Sequence, residues 1–166
     1  LASIFAAFGS QVTLVETAER ILSQEDLSVS LALQHAFQKR GIQILTGIAA
    51  IERLERREKQ LFLYTQHAND SLLLQAEAVV LAVGWPGNLQ GLGIETVGVK
   101  IENGYIPVDD YMRTSVAHIF AAGDITGRMG LVQRAGYDAR IAAENAVLGL
   151  QHPYRHQIVP HGGFTD

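Results

Sequence analysis

The chain has no cysteine, one tryptophan, two methionines and four prolines among its 166 residues. Without a thiol this stretch can form no disulfide, no thiolate zinc site and no cysteine nucleophile. Basic charge is not in excess either. Thirteen Lys and Arg stand against 17 Asp and Glu, a net charge of −4, so no basic face and no nucleic-acid partner is expected. No apolar run reaches the roughly 18–20 residues that span a bilayer. The longest, Leu72 to Val83, is interrupted by Gln75 and Glu77, and no membrane partner is expected. The amino terminus lacks the charged segment and cleavage site of a signal peptide. A soluble, cytoplasmic protein is the expectation. There is no Gly-x-Ser-x-Gly elbow, no phosphate-binding P-loop and no internal repeat.

What remains is globular in balance, with 48% hydrophobic and 18% charged residues. Leu1, Ile4, Phe5 and Phe8 fall on one helical face, and Gly9 stops that helix. No capping residue and no initiator Met precede them, so the chain is expected to begin inside a helix. Gln11 to Val15 reads as a short buried strand ending at Glu16. Ser23 and Asp26 resemble a capping box. A helix is expected from about Glu25 to Arg40, with Val29, Leu33, Ala36 and Phe37 as its buried stripe and Gly41 as its stop. Ile42 to Leu45 reads as a strand.

Residues 49–66 fit a helix followed by a strand by propensity, or a β-hairpin turning near Glu58-Lys59. Ser71 to Gln75 and Ala78 to Val83 read as apolar strands, the second as a central one. Residues 91–103 read as loop. Tyr105 to Val108 and His118 to Ala122 read as short strands, and Leu131 to Leu148 as a long helix ended by Gly149. Strands alternating with helices predict an α/β fold with a parallel sheet.

Three constellations carry chemistry. The first is helix, Gly9, strand, Glu16. An acidic residue ending the second strand of a dinucleotide-binding βαβ unit bonds the adenosine ribose hydroxyls and disfavours a 2′-phosphate. Arg20 could take such a phosphate instead, or be a surface arginine. The second is Thr114-Ser115-Val116-Ala117-His118-Ile119-Phe120-Ala121-Ala122-Gly123-Asp124. An apolar strand, then small residues and a glycine, lets backbone approach a cofactor, and Asp124 offers a carboxylate. The third is the helix start at Gly130, Leu131, Val132 and Gln133, whose free N–H groups form an anion site.

The second constellation resembles the signature that closes the FAD site in the flavin-dependent pyridine nucleotide-disulfide oxidoreductases. The resemblance extends over nearly the whole chain. Val12 to Glu16 is similar to the second strand of that family's nicotinamide-binding domain. Gly41 to Ala50 is similar to its Gly-Val-Glu-Val-Leu-Thr-Gly segment, which would put Ala50 on the adenine. Val79 to Gly84 resembles the strand and glycine that approach the dinucleotide. Phe164-Thr165-Asp166 resembles the opening of the dimerisation domain. In overall pattern the chain is most similar to dihydrolipoyl dehydrogenases and mercuric reductases.

The resemblance implies strands at 49–66 and a Rossmann-like nucleotide-binding domain with a parallel sheet plus a β-meander. It implies a partial NAD(P)-binding domain at 1–107 without its first strand and glycine fingerprint, a returning FAD-domain segment at 108–150 and a dimerisation-domain start at 151–166. It implies FAD and NAD as cofactors (NADP as the alternative), a homodimer, and hydride transfer to flavin and on to a disulfide-type acceptor. Gly130 to Gln133 would face the flavin's pyrimidine edge, where charge accumulates on reduction. The redox cysteines and the catalytic His and Glu of such enzymes would lie outside these residues, so no catalytic residue is expected here. The rival readings are a thiol-free flavin NADH dehydrogenase and a non-catalytic binding module. One departure stands out. Gly84-Trp85-Pro86-Gly87-Asn88 occupies the place of the family's Gly-Arg-x-Pro-Asn, so a cation gives way to a large ring.

The remaining polar groups are read as structural. Pro153 after His152 makes 151–161 extended, so His152, His156 and His161 are not expected to bind metal. Asp109-Asp110 would point to opposite sides and is read as a solvated turn.

Overall fold

The first helix, α1 (Ala2–Ala7), ends at Gly9, which has φ +88°. Its apolar stripe faces outward: Leu1, Ile4, Phe5 and Phe8 are exposed, and the helix packs through Ala2 and Ala6. The computed structural model describes residues 1–68, 70–128, 130–155, 160, 162–163 and 165. The chain divides into two compact units, with a boundary between Leu81 and Ala82.

In the first unit, β1 (Thr13–Val15) leads through α2 (Leu27–Lys39) to β2 (Gln43–Leu45). The two strands are parallel, with Thr13 opposite Gln43 and Val15 opposite Leu45, as a helical crossover requires. Ile21, Phe37 and Ile42 form the core, with Val12, Leu14, Leu33 and Ile44 packed around them. The capping box does not form. Asp26 is itself the cap, accepting from the N–H of Ser28 at 2.8 Å and its hydroxyl at 2.7 Å, so the helix starts at Leu27. The hydroxyl and N–H of Ser28 hold the Asp26 carboxyl below its usual range. The expected stripe is also corrected. Phe37 is buried and Leu33 half-buried, but Val29 and Ala36 are exposed. Ser30 takes the innermost place, its hydroxyl donating to the Ile21 carbonyl at 2.5 Å. That bond sets the rotation of α2 and turns neighbouring Val29 outward.

Residues 48–76 form an antiparallel meander of β3 (Ile48–Arg57), β4 (Gln60–His67) and β5 (Asp70–Ala76). The hairpin turns at Glu58-Lys59, with Glu58 at φ +54°. Helix propensity loses to cross-strand pairing. Leu54 lies opposite Leu63 and Tyr64 opposite Leu73, and the Arg53 guanidinium sits 3.8 Å from the Tyr64 ring centre. Glu55 bridges Arg53 and Arg57 on the exposed face.

The stretch Ala78–Val83 is not a strand. Val80, Leu81 and Val83 are 54%, 75% and 82% exposed. A central strand needs ladders on both sides, and among the described residues no strand lies beside it.

In the second unit Ile94, Val99 and Ile106 form one core and Met112, Ile141, Ala142 and Tyr154 another. A 3-10 turn at Ile94–Val97 lies within the stretch read as loop. The expected strands at 105–108 and 118–122 reduce to isolated bridges, Glu102 with Tyr105 and Arg113 with Phe120. The N–H groups of Tyr105, Ile106, Ile119 and Ala121 go to the scattered carbonyls of Glu102, Ile125, Val116 and Met112, so no continuous ladder forms. Asp109 takes those of Tyr111 and Arg113, and Thr114 takes that of Val116. The long helix α3 (Val132–Leu148) ends at Gly149 as expected. No helix among the described residues is long and apolar enough to cross a membrane.

Candidate functional site

In the first unit the site residues gather where the parallel strands end. Glu16 follows β1, and its backbone is tied on both sides. Its N–H donates to the Leu45 carbonyl at 2.8 Å and its carbonyl accepts from Ile48 at 3.1 Å. Its Oε1 accepts from the N–H of Ala18 at 2.9 Å. Gly47, at φ +66°, donates to the Ala18 carbonyl and carries the chain from β2 into β3, where Ala50 lies half-buried. Glu16 and Ala50 thus share the carboxyl end of the β1–β2 pair, the usual side for a nucleotide in a parallel sheet.

Arg20 is committed elsewhere. Its guanidinium donates to the carbonyls of Leu22, Ser23 and Glu25 at 3.0, 2.8 and 2.9 Å, and it shapes the loop before α2. Arg20 is thus a half-buried, loop-shaping residue rather than the exposed surface arginine expected.

In the second unit Gly123 has φ +78° and ψ −153°, a region that essentially glycine alone occupies. A Cβ there would sit 3.2 Å from that of Ala135, in the first turns of α3. The next residues are locked by Thr126, whose hydroxyl and N–H donate to the Gly123 carbonyl at 2.7 and 3.0 Å. Asp124 is therefore exposed on a fixed turn, and its Oδ2 lies 3.7 Å from where a Cβ on Gly130 would stand. Leu131 caps α3 without a side-chain bond. Val132 and Gln133, which carry the first N–H groups of the helix, are exposed residues. The structure brings Gly123, Asp124, Gly130, Leu131, Val132 and Gln133 together. Gly84, also in this unit, is exposed at φ +89° with open space around it.

This arrangement fits a dinucleotide-type cofactor. A glycine that tolerates no side chain permits close backbone approach, a carboxylate can accept from hydroxyls, and a helix N-terminus attracts negative charge.

Two features escaped the sequence reading. Arg134 and Asp138 form a pair at 3.1 Å, with the arginine side chain 13% exposed and the aspartate fully buried. The guanidiniums of Arg134 and Arg128 lie 4.5 and 5.0 Å from the ring centre of Tyr154. The i, i+4 spacing of Arg134 and Asp138 was visible, but Arg preceding Asp opposes the helix dipole and signals no helix stabilisation. Asp109-Asp110 is a turn, as read, but Asp109 is engaged rather than solvated. Burial raises the Asp109 carboxyl, while the N–H groups of Arg113 and Tyr111 and the Arg113 guanidinium outweigh that and hold it below the ordinary carboxylate range. A lowered carboxyl contributes stability that is present above its unfolded value and lost as pH falls through the folded one. Amide protection at Tyr111 and Arg113, corrected for intrinsic exchange, is therefore expected to hold through neutral pH and fall only in acid. Protection unchanged in acid would contradict this.

No group of metal-ligating side chains occurs among the described residues. His156, His161, Phe164 and Asp166 lie outside the described residues.

A family model described as pyridine nucleotide-disulphide oxidoreductase matches residues 1–139. Dihydrolipoyl dehydrogenase of Zymomonas mobilis is 35% identical over 162 residues, which are 96% of this chain and 34% of that protein. Mercuric reductase of Bacillus cereus is 32% identical over 167 residues, all of this chain and 26% of that protein. Among solved structures, LpdA of Mycobacterium tuberculosis superposes with a TM-score of 0.80 at 28% identity, covering 93% of this chain and 33% of its own. The Cu(II) complex of the HOCl-induced flavoprotein disulfide reductase RclA of Escherichia coli gives 0.76 at 30% identity, covering 89% and 32%. The chain thus spans about a third of the length of most of these relatives.

Proposed function

The chain belongs to the pyridine nucleotide-disulphide oxidoreductase family, and on that footing we propose that the protein carrying it is an FAD-dependent oxidoreductase that passes hydride from NADH to flavin and on to a disulfide-type acceptor. Residues 1–107 are assigned to the nicotinamide-dinucleotide domain, 108–150 to the returning segment of the FAD domain, and 151–166 to the start of a dimerisation domain. Homodimerisation and a cytoplasmic location belong to the same proposal.

The observation that carries this reading is the Gly123-Asp124 turn set against the uncapped start of α3. When bound, FAD supplies a two-electron carrier. Asp124 holds it by accepting from ribityl hydroxyls. Gly123 keeps that approach clear. The N–H groups of Val132 and Gln133, with Gly130 and Leu131 shaping the entry to the helix, favour negative charge at the pyrimidine edge. In the first unit Glu16 takes the adenosine ribose of the nicotinamide dinucleotide and Ala50 packs on its adenine. No residue described here serves as catalytic acid, base or nucleophile.

Purified full-length protein is expected to be yellow, to bleach with NADH under anaerobic conditions, and to recover colour when lipoamide is added. Colourless protein, or a flavin that NADH does not reduce, would overturn the reading. Recovery with a quinone but not with any disulfide would favour the thiol-free dehydrogenase. Glu16→Ala is expected to raise the KM for NADH about tenfold, the loss of a charge-assisted hydrogen bond, and to improve the use of NADPH. Equal use of NADH and NADPH by the unaltered protein would contradict the assignment of Glu16.

A further inference from the structure

Beyond α3 the chain reverses at Gly149, which has φ +84°, and Gln151–Arg155 runs back along the helix. Asn145, 2% exposed, ties down the near end of this return. Its Oδ1 accepts from the N–H groups of Gln151 and His152 at 3.1 and 3.0 Å. Its Nδ2 donates to the carbonyls of His152 and Tyr111 at 2.8 and 3.2 Å. Both donors and both lone pairs of the amide are thus in use. At the far end the Tyr154 N–H donates to the Asp110 carbonyl, and the Arg155 N–H to the Tyr137 hydroxyl at 3.3 Å. Gln151, His152, Pro153 and Arg155 are exposed, and Tyr154 alone turns inward.

There its ring meets two arginines of the second unit. The guanidinium of Arg134 lies 4.5 Å from the ring centre and that of Arg128 lies 5.0 Å from it. Tyr137 packs against the ring edge-on, at 67° with centroids 5.3 Å apart, which fixes the orientation of the ring. A guanidinium beside an aromatic face is attracted by the ring's quadrupole, most strongly out of water. In sequence Arg128 precedes Gly130–Gln133 and Arg134 follows them, so one ring touches both flanks of that segment. Both arginines are anchored in turn. Arg134 pairs with the buried Asp138, and Arg128 donates to the carbonyls of Val108 and Asp109 at 3.0 and 3.1 Å. Between them Leu131 caps α3 without a side-chain bond, so the direction of the first N–H groups depends on what grips the flanks.

We propose that Tyr154, delivered by the Gln151–Arg155 return, is a positioning residue for the flavin: by holding Arg128 and Arg134 it sets the start of α3. This rests on the reading of that helix start as the group facing the flavin's pyrimidine edge. Tyr154 touches no cofactor atom in this role. It acts through the backbone N–H groups, whose alignment stabilises the charge of reduced flavin.

The test uses full-length holoenzyme with Tyr154→Met, Tyr154→Phe and Ile141→Val. Methionine fills the space with apolar atoms but offers no ring face. Tyr154→Met is expected to lower FAD affinity roughly tenfold and to move the flavin midpoint potential below that of the unaltered enzyme. Tyr154→Phe, which keeps the face, is expected to restore both. Ile141 lies in the same core cluster as Tyr154, so Ile141→Val reports on packing alone. It is expected to lower the melting point while leaving affinity and potential in place. Unchanged affinity and potential in Tyr154→Met would overturn the proposal, and so would an equal shift in Ile141→Val. If Tyr154→Met yields no folded protein, Asn145→Ser decides: loosening the return is expected to lower the potential in the same direction by less, and an unchanged potential overturns the proposal. Failure of the underlying reading looks different. Unaltered protein that binds no flavin defeats that reading; unaltered protein that binds it, with Tyr154→Met silent, defeats the positioning role alone.

Discussion

Asp124→Ala in the full-length protein is expected to yield preparations largely free of flavin. The carboxylate stands exposed at the start of a turn whose backbone it does not hold. That backbone is fixed by Thr126, which bonds the Gly123 carbonyl through both hydroxyl and N–H. Removing the Asp124 side chain should therefore leave the turn in place and delete only what it offers to a ligand. A hydrogen bond to a charged group contributes about 1.5–3 kcal/mol, so FAD affinity should fall roughly ten- to 150-fold. The check is the ratio of flavin to protein absorbance after gel filtration, with melting of the apoprotein as control. A variant that keeps its flavin would remove Asp124 from the site. A variant that loses flavin and also melts well below unaltered apoprotein would show that the side chain serves the fold instead.

The second large effect concerns stability. Arg134→Met is expected to destabilise the second unit by about 3–5 kcal/mol, because it strands the fully buried Asp138 without its cation. The other oxygen of Asp138 has no hydrogen-bond partner among the described residues. Arg134→Met combined with Asp138→Leu should regain most of the loss, since a buried ion pair can often be exchanged for apolar packing at little net cost. Urea unfolding of the single and double variants decides it. A single variant within about 1 kcal/mol of the parent would contradict this.

What could be read from the sequence was whatever is decided locally. Gly9, Gly41 and Gly149 end helices because each takes a positive φ there. The meander at 48–76 was legible through its family pattern but not through propensity. Residues such as Glu52, Leu54 and Glu55 favour helix in isolation, and only their partners on β4 decide the matter. Ala78–Val83 failed for the complementary reason: an apolar run becomes a strand when something pairs with it, which the run itself does not specify. Asp26 displaced the expected capping box because its carboxylate reaches Ser28, two residues on, instead of pairing with Ser23. At the candidate site, glycine and aspartate at 123–124 were evident from residue type. The role of Arg20 was not, because three backbone carbonyls that occupy a guanidinium leave no pattern in sequence.

The meander has one further consequence, for the order in which the chain assembles. Its strands follow one another directly, through short turns at Glu58-Lys59 and around Ala68, so each pairing closes a small loop. The partners β1 and β2, by contrast, align Thr13 with Gln43 and meet only after α2 has bridged them. Local pairing is fast and long-range pairing slow. The sheet that carries Ala50 is thus poised to form before the strand ends that carry Glu16.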